Sequence, residues 1–234
     1  MTDQIKLFEP LKIRNLTIPN RIVISPMCQY SANDGYLDTW HFIHLGRFAM
    51  GGAGLIFTEA TAVQKSGRIT HGCPGLWCDS QIAGHAQLTS FALQNSSVPA
   101  LQLGHAGRKS GMQRPWFGNS FLNEDDFVRG DMPWQSVGPS PIPVDQGWPV
   151  PYEMNQAAIN FFVGDFVAAA KRALQAGYKV LEIHGAHGYL IHSFLSPLSN
   201  QRKDDYGGSL ENRMRLATDL AKQVRTVWPR NLPL

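Results

Sequence analysis

Short apolar runs recur along the chain, each followed by a polar or glycine-rich stretch and then by a segment of helical periodicity. The runs are Ile22-Val23-Ile24-Ser25, Gly54-Leu55-Ile56-Phe57-Thr58, Val98 to Leu103, and Tyr178 to Ile183. None alternates apolar with polar positions, which predicts strands of a parallel sheet covered on both faces. Helices are predicted over Thr39 to Met50, Ser80 to Gln94, Gln156 to Ala176 and Leu210 to Val227. Asp38 or Thr39, Ser80, Asn155 and Ser209 are the expected N-caps, and Gly51 and Gly177 sit where helices end. Strands alternating with helices predict βαβ units wound right-handedly into a parallel sheet or barrel. Within one domain over 1–234, the tract 105–154 is rich in proline, glycine and tryptophan, and its length predicts a functional lid.

The polar residues gather at one kind of place. Pro26-Met27-Cys28-Gln29-Tyr30 follows the first run, Glu59-Ala60 the second, His105-Ala106-Gly107-Arg108-Lys109 the third, and His184, His187 and Tyr189 the fourth. All four clusters are expected at strand C-terminal ends. In a βα barrel that is the face on which active sites are built.

Composition narrows the picture only modestly. Of 234 residues, 43% are hydrophobic, enough for a real core, and the net charge of +3 comes without any long basic run. That balance suits an anionic cofactor and argues against a nucleic-acid partner. Three cysteines, Cys28, Cys73 and Cys78, match no zinc spacing and predict a reducing compartment. Without an apolar leader core or a membrane-length segment, the expected location is cytoplasmic, with no membrane partner.

The stretch KVLEIHGAHGY carries the densest chemistry. His184-x-x-His187 could bind a metal, although no acidic or cysteine partner lies nearby, or could be a buried structural pair. Tyr189 two residues on favours a third reading. Two imidazole N–H groups can hydrogen-bond a substrate oxygen while a phenol supplies a proton, which describes a carbonyl-activating site in need of an electron source. Cys28 is either a small buried residue or a group that tunes redox chemistry. Gln102 offers donor and acceptor to a planar heterocycle. Arg108 and Lys109 are either solvated charges or pocket residues, and Gln113 to Gly118 is either loop packing or an aromatic wall.

Taken together, LFEPLKIRNLTIPNRIVISPMCQYSANDG, LIFTEATAVQKSGRIT, LQLGHAGRKS and EIHGAHGYLIHSFLSPLSNQRKDDYGGSLENR resemble the Old Yellow Enzyme family of FMN-dependent ene-reductases. Cys28 in a position where others have threonine, with Tyr30 close behind, points to its bacterial, thermophilic-like branch. The resemblance implies a (β/α)8 barrel of the TIM type, with FMN as cofactor and NADPH or NADH as reductant. It implies that Ser25, Pro26, Met27 and Cys28 line the flavin, with Cys28 adjusting its potential, and that Ala60 and Gln102 contact the isoalloxazine ring. His184 and His187 would hold the oxygen of an α,β-unsaturated carbonyl, so that no metal is needed, and Tyr189 would be the proton donor. Tyr30 and Lys109 would border the substrate, a small enone or related activated alkene.

A closed barrel of this type needs eight βα units, whereas the pattern supplies about four, with Asn231 to Leu234 reading as the approach to a fifth. The resemblance therefore covers the N-terminal portion of such an enzyme. The family's next flavin-contacting arginine and its phosphate site would lie beyond residue 234. Two other functions fit the same residues: a dienoyl-CoA reductase-like flavoenzyme, or a non-catalytic half-barrel subunit. The expected partners are another copy of the chain or a complementing C-terminal half.

Overall fold

The computed structural model describes residues 5–234. The chain enters through a hairpin, β1 (Leu11–Ile13) against β2 (Leu16–Ile18), and then lays down β3 (Val23–Ile24) and α1 (Thr39–Met50). β4 (Leu55–Ala62), α2 (Ile82–Gln94) and β5 (Val98–Gly104) follow. The long tract next contributes α3 (Glu124–Val128) and β6 (Val137–Gly138), which pairs with β7 (Tyr152–Glu153). α4 (Gln156–Gln175), β8 (Val180–Ile183), α5 (Leu190–Leu195) and α6 (Leu210–Val227) complete the order.

β3, β4, β5 and β8 form one sheet in that order, every neighbour parallel. Each is followed by a helix on the outside, α1, α2, α4 and α6, and these contact one another in the same succession. This is the winding of a (β/α)8 barrel, with four of its strands present among the described residues. The predicted strands all appear, and the reason for their unbroken apolar runs is visible: every residue of β5 is buried, as are most of β4. Leu101, Leu103 and Leu181 pack with Phe162 and Phe166 of α4 and with Leu216, Leu220 and Trp228 of the last helical segment.

Three caps fall where the sequence places them. Asp38 accepts from Trp40 N, Asn155 from Ala158 N and Ser209 from Asn212 N. Ser80 does not cap α2: a short turn over Asp79–Gln81 intervenes and α2 begins at Ile82. β4 also runs further than its apolar residues suggest, so Glu59 and Ala60 lie inside the strand rather than in a loop beyond it. No helix among the described residues is long and apolar enough to cross a membrane.

Candidate functional site

The His184–Tyr189 segment is shaped by the strand it leaves. His184 N still donates to Leu103 O at 2.8 Å, so the first histidine stands in register with β5. The backbone then reverses: Tyr189 N donates to Ala186 O, and His187 and Gly188 both take left-handed backbone, with φ of 59° and 72°. For a side chain larger than hydrogen, that conformation costs about 1–2 kcal/mol. The neighbours hold it in place. Lys109 Nζ donates to His187 O at 2.8 Å, Gly188 N donates to His192 Nδ1 at 2.7 Å, and Leu190 N donates to His105 O at 3.0 Å. Lys109, expected beside the pocket, is thus tied to the turn that presents His187, with its ammonium 5.8 Å from the Tyr189 ring centre.

The three rings meet edge to face, His184 lying 5.0 Å from both His187 and Tyr189 between centroids. His184 Nδ1 accepts from Ala186 N at 3.3 Å, which leaves the proton on Nε2, 3.2 Å from His187 Nδ1. Burial, helped by His187, lowers the His184 pKa to about 4, so the ring is neutral at pH 7 and remains a one-proton donor. Burial also raises the Tyr189 phenol far above its ordinary value, helped by Cys28 and Tyr30, so it keeps its proton. Among the described residues its hydroxyl has no hydrogen-bond partner. The arrangement is a neutral N–H donor beside an undissociated phenol.

Cys28, Tyr30 and Ala60 join Tyr189 around Ile69, Cys73 and Ala106. Residues drawn from three separate stretches of chain therefore converge. Burial first, then Cys73 and Glu59, push the Cys28 thiol up, against hydrogen bonds from the Ala60 backbone and the Tyr30 hydroxyl. Cys28 is consequently a thiol, not a thiolate, near neutrality. Tyr30 also has left-handed backbone, with φ of 53°, and its ring meets Trp116 edge to face at 6.1 Å. Its carbonyl lies so close to Gly72 that a Cβ there would come within 2.0 Å, so residue 72 must be glycine.

Ser25 and Met27 are exposed and Pro26 half-buried, a strip leading from β3 toward Cys28. Gln102 is buried and donates through Nε2 to Glu182 Oε1 at 2.7 Å, which leaves its carbonyl oxygen without a partner among the described residues. A small side chain at Ala60, an amide at Gln102 and an open apolar strip at Pro26 and Met27 fit the edge and face of a flat heteroaromatic ring. Among the described residues, no group of three or more His, Cys, Asp or Glu side chains is placed to hold a metal ion.

Some lining residues were not singled out from sequence. Thr61, Gly67, Arg68 and His105 border the same small cavity as His184 and Tyr189. Arg68 is buried, its guanidinium 5.4 Å from Trp77 and 4.9 Å from Trp134 between centres. His105 Nδ1 accepts from Gly107 N, which leaves a buried Nε2–H without a partner. The signal for Gly67 and Arg68 lies in KSGRIT, the end of LIFTEATAVQKSGRIT. His105 had only its place after the third run.

The family described as NADH:flavin oxidoreductase / NADH oxidase matches residues 6–230. NADH:flavin oxidoreductase FG08077 of Gibberella zeae is 46% identical over 230 residues, covering 98% of this chain and 55% of its own length. NADPH dehydrogenase of Bacillus subtilis (strain 168) is 44% identical over 225 residues, covering 95% of this chain and 61% of its own. Among solved structures, Old Yellow Enzyme from Pichia sp. AKU4542 superposes with a TM-score of 0.83 at 25% identity, over 97% of this chain and 58% of that one. The chain thus spans little more than half the length of these relatives.

Proposed function

Because the chain belongs to the NADH:flavin oxidoreductase / NADH oxidase family, we propose that it carries the substrate-activating half of an FMN-dependent, NAD(P)H-consuming reductase of α,β-unsaturated carbonyl compounds. The observation that carries this reading is the pairing of a neutral, Nε2-protonated His184 with an undissociated Tyr189, rings 5.0 Å apart, beside Cys28 and Ala60. Bound FMN would supply the hydride chemistry, accepting from the nicotinamide and donating to the alkene.

The chain's own residues have separate tasks. His184 would turn its Nε2–H from His187 Nδ1 to the carbonyl oxygen, and His187, its turn held by Lys109, would donate a second hydrogen bond. Together they draw electron density from the β-carbon and orient the alkene. Tyr189 delivers the proton to the α-carbon, and its raised pKa keeps that proton in place until a carbanion-like acceptor develops. A neutral His184 suits this role, because an imidazolium could protonate the oxygen outright rather than share a hydrogen bond with it. Gln102, Ala60 and the Ser25–Cys28 strip would hold the flavin ring, and Tyr30 would form a wall of the substrate site. The tract 105–154 would cover it. The ligands of the flavin phosphate and the rest of the ring's partners would come from outside these residues.

The test is anaerobic. Protein containing this chain and its flavin is reduced with NADPH or NADH and mixed with 2-cyclohexenone. Reoxidation of the flavin with formation of the saturated ketone is expected. A flavin that is reduced by nicotinamide but stays reduced in the presence of enones would refute the proposal.

A further inference from the structure

One buried carboxylate beside the site has no part in the mechanism above. Glu59 lies in the interior of β4, one residue before Ala60, and is only 3% exposed. Its Oε2 accepts the backbone N–H of Gln29 at 2.7 Å, the residue between Cys28 and Tyr30. Its Oε1 lies 3.4 Å from His41 Nε2, an ion-pair contact without hydrogen-bond alignment, and His41 Nδ1 lies 2.8 Å from Asp38 Oδ1. His41 is itself buried, on the inward face of α1. A chain of charge thus runs from the N-cap of α1 through His41 and Glu59 to the Cys28–Tyr30 backbone.

A buried carboxylate inside a strand is costly unless paired and hydrogen-bonded, and both of these oxygens are engaged. We propose that Glu59, clamped by His41, is a positioning residue that fixes the Cys28–Tyr30 segment through the Gln29 amide. That role follows from Tyr30. Its left-handed backbone is unfavourable for tyrosine, and the Gln29 amide immediately before it is held by Glu59 rather than by another backbone group. Charge adds to it: Cys73, Tyr30 and Tyr189 pack around Cys28, Cys73 and Glu59 both push its thiol up, and the Arg68 guanidinium lines the same cavity as Cys73 and Tyr189. Any negative charge forming there meets a carboxylate already in place. His41 answers Glu59 from the far side: burial opposes its charge, but Glu59 and Asp38 outweigh burial and hold its pKa above the ordinary value.

The role rests on reading Cys28 and Tyr30 as site residues, but the test reads thiol chemistry and backbone exchange, not turnover. Iodoacetamide labelling of Cys28, resolved from Cys73 and Cys78 by peptide mass spectrometry, is followed from pH 7 to 10 in the flavin-containing protein. Hydrogen exchange of the peptide spanning Gln29 is measured in parallel. Glu59→Gln keeps an oxygen for the Gln29 amide and loses the charge. Labelling at a given pH should rise several-fold as the carboxylate charge is lost, with exchange at Gln29 unchanged. Glu59→Asp keeps the charge and withdraws it by one methylene, so exchange should quicken while labelling moves much less. Wild-type labelling rates in Glu59→Gln, or wild-type exchange in Glu59→Asp, would overturn the proposal. If the wild-type protein fails to reduce enones, the function assigned to the site falls, while these two results stand or fall separately.

Discussion

Two histidine–tyrosine pairs, His85 with Tyr178 and His184 with Tyr189, are of nearly the same make-up and differ in one respect. Below the candidate site, His85 of α2 meets Tyr178, the residue two before β8, with ring centroids 5.7 Å apart. Within the site, the upper pair is His184 and Tyr189, at 5.0 Å. Burial lowers both histidines to about 4 and raises both phenols far above their usual value. Yet the lower pair is complete. His85 Nδ1 lies 2.7 Å from Tyr178 Oη, that hydroxyl lies 2.9 Å from Thr58 Oγ1, and His85 Nε2 lies 3.3 Å from Gly75 O. Among the described residues, the upper pair has a phenol without a partner and an imidazole donor received by a second histidine ring. Perturbed titration marks burial in both places; unspent hydrogen-bonding capacity marks the upper one as the place for a ligand.

The comparison breaks most sharply at the lower pair. His85→Ala should lower stability by about 3–5 kcal/mol, because it opens a cavity and removes one of the two partners of the Tyr178 hydroxyl. Denaturant melts measure this, and a loss below 1 kcal/mol would mean that the pair is not structural. Acid should destabilise the fold through its buried histidines by linkage. His85 and His105 have folded pKa values near 4 against 6.5 in the unfolded chain, so the unfolded state takes up more protons as pH falls. Each should cost about 2 kcal/mol of stability between pH 7 and 5, fully present above 6.5 and lost as pH falls toward 4. His41 runs the other way: its folded pKa is raised, so its contribution is present below 6.5 and fades as pH rises through the folded value. Replacing His85 or His105 with an apolar residue should flatten the acid limb of a stability–pH curve.

The upper pair sharpens the contrast through ligand affinity. His184→Ala and His187→Ala should each weaken binding of a para-substituted phenol by about 1–3 kcal/mol, followed by its long-wavelength charge-transfer band, with much smaller effects on melting than His85→Ala. Unchanged affinity in the double variant would remove these histidines from the role. Lys109→Met should have the smallest effect, about 0.5–1.5 kcal/mol on the same affinity, because the lysine acts only by holding the His187 carbonyl.

Much of this was legible in the sequence because it is local. Buried strands announce themselves as unbroken apolar runs, and Asp38, Asn155 and Ser209 cap helices that begin at the next residue. The HGAHGY turn was legible as chemistry because its three rings lie within six residues. What stayed hidden depends on partners far along the chain. Lys109 finds the His187 carbonyl 78 residues away, and Tyr178 finds Thr58 at a separation of 120. Glu59 reads as the polar residue that ends an apolar run, yet it continues β4, because His41 and the Gln29 amide satisfy it there. No periodicity reports such pairings. α5 went unseen for a related reason: at six residues it is too short for a helical pattern, and it holds together by burying Leu190, Ile191 and Phe194.

The two tyrosines give the most direct test, taken through the same pair of experiments. In stopped flow with flavin bound, Tyr189→Phe should slow alkene reduction by about a hundredfold or more while nicotinamide reduction of the flavin and the melting temperature hold near wild type. Tyr178→Phe should do the reverse, lowering the melting temperature and leaving both half-reactions near wild type. A Tyr189→Phe protein that reduces enones at the wild-type rate, or loses both half-reactions equally, would contradict the assignment of Tyr189 as the proton donor.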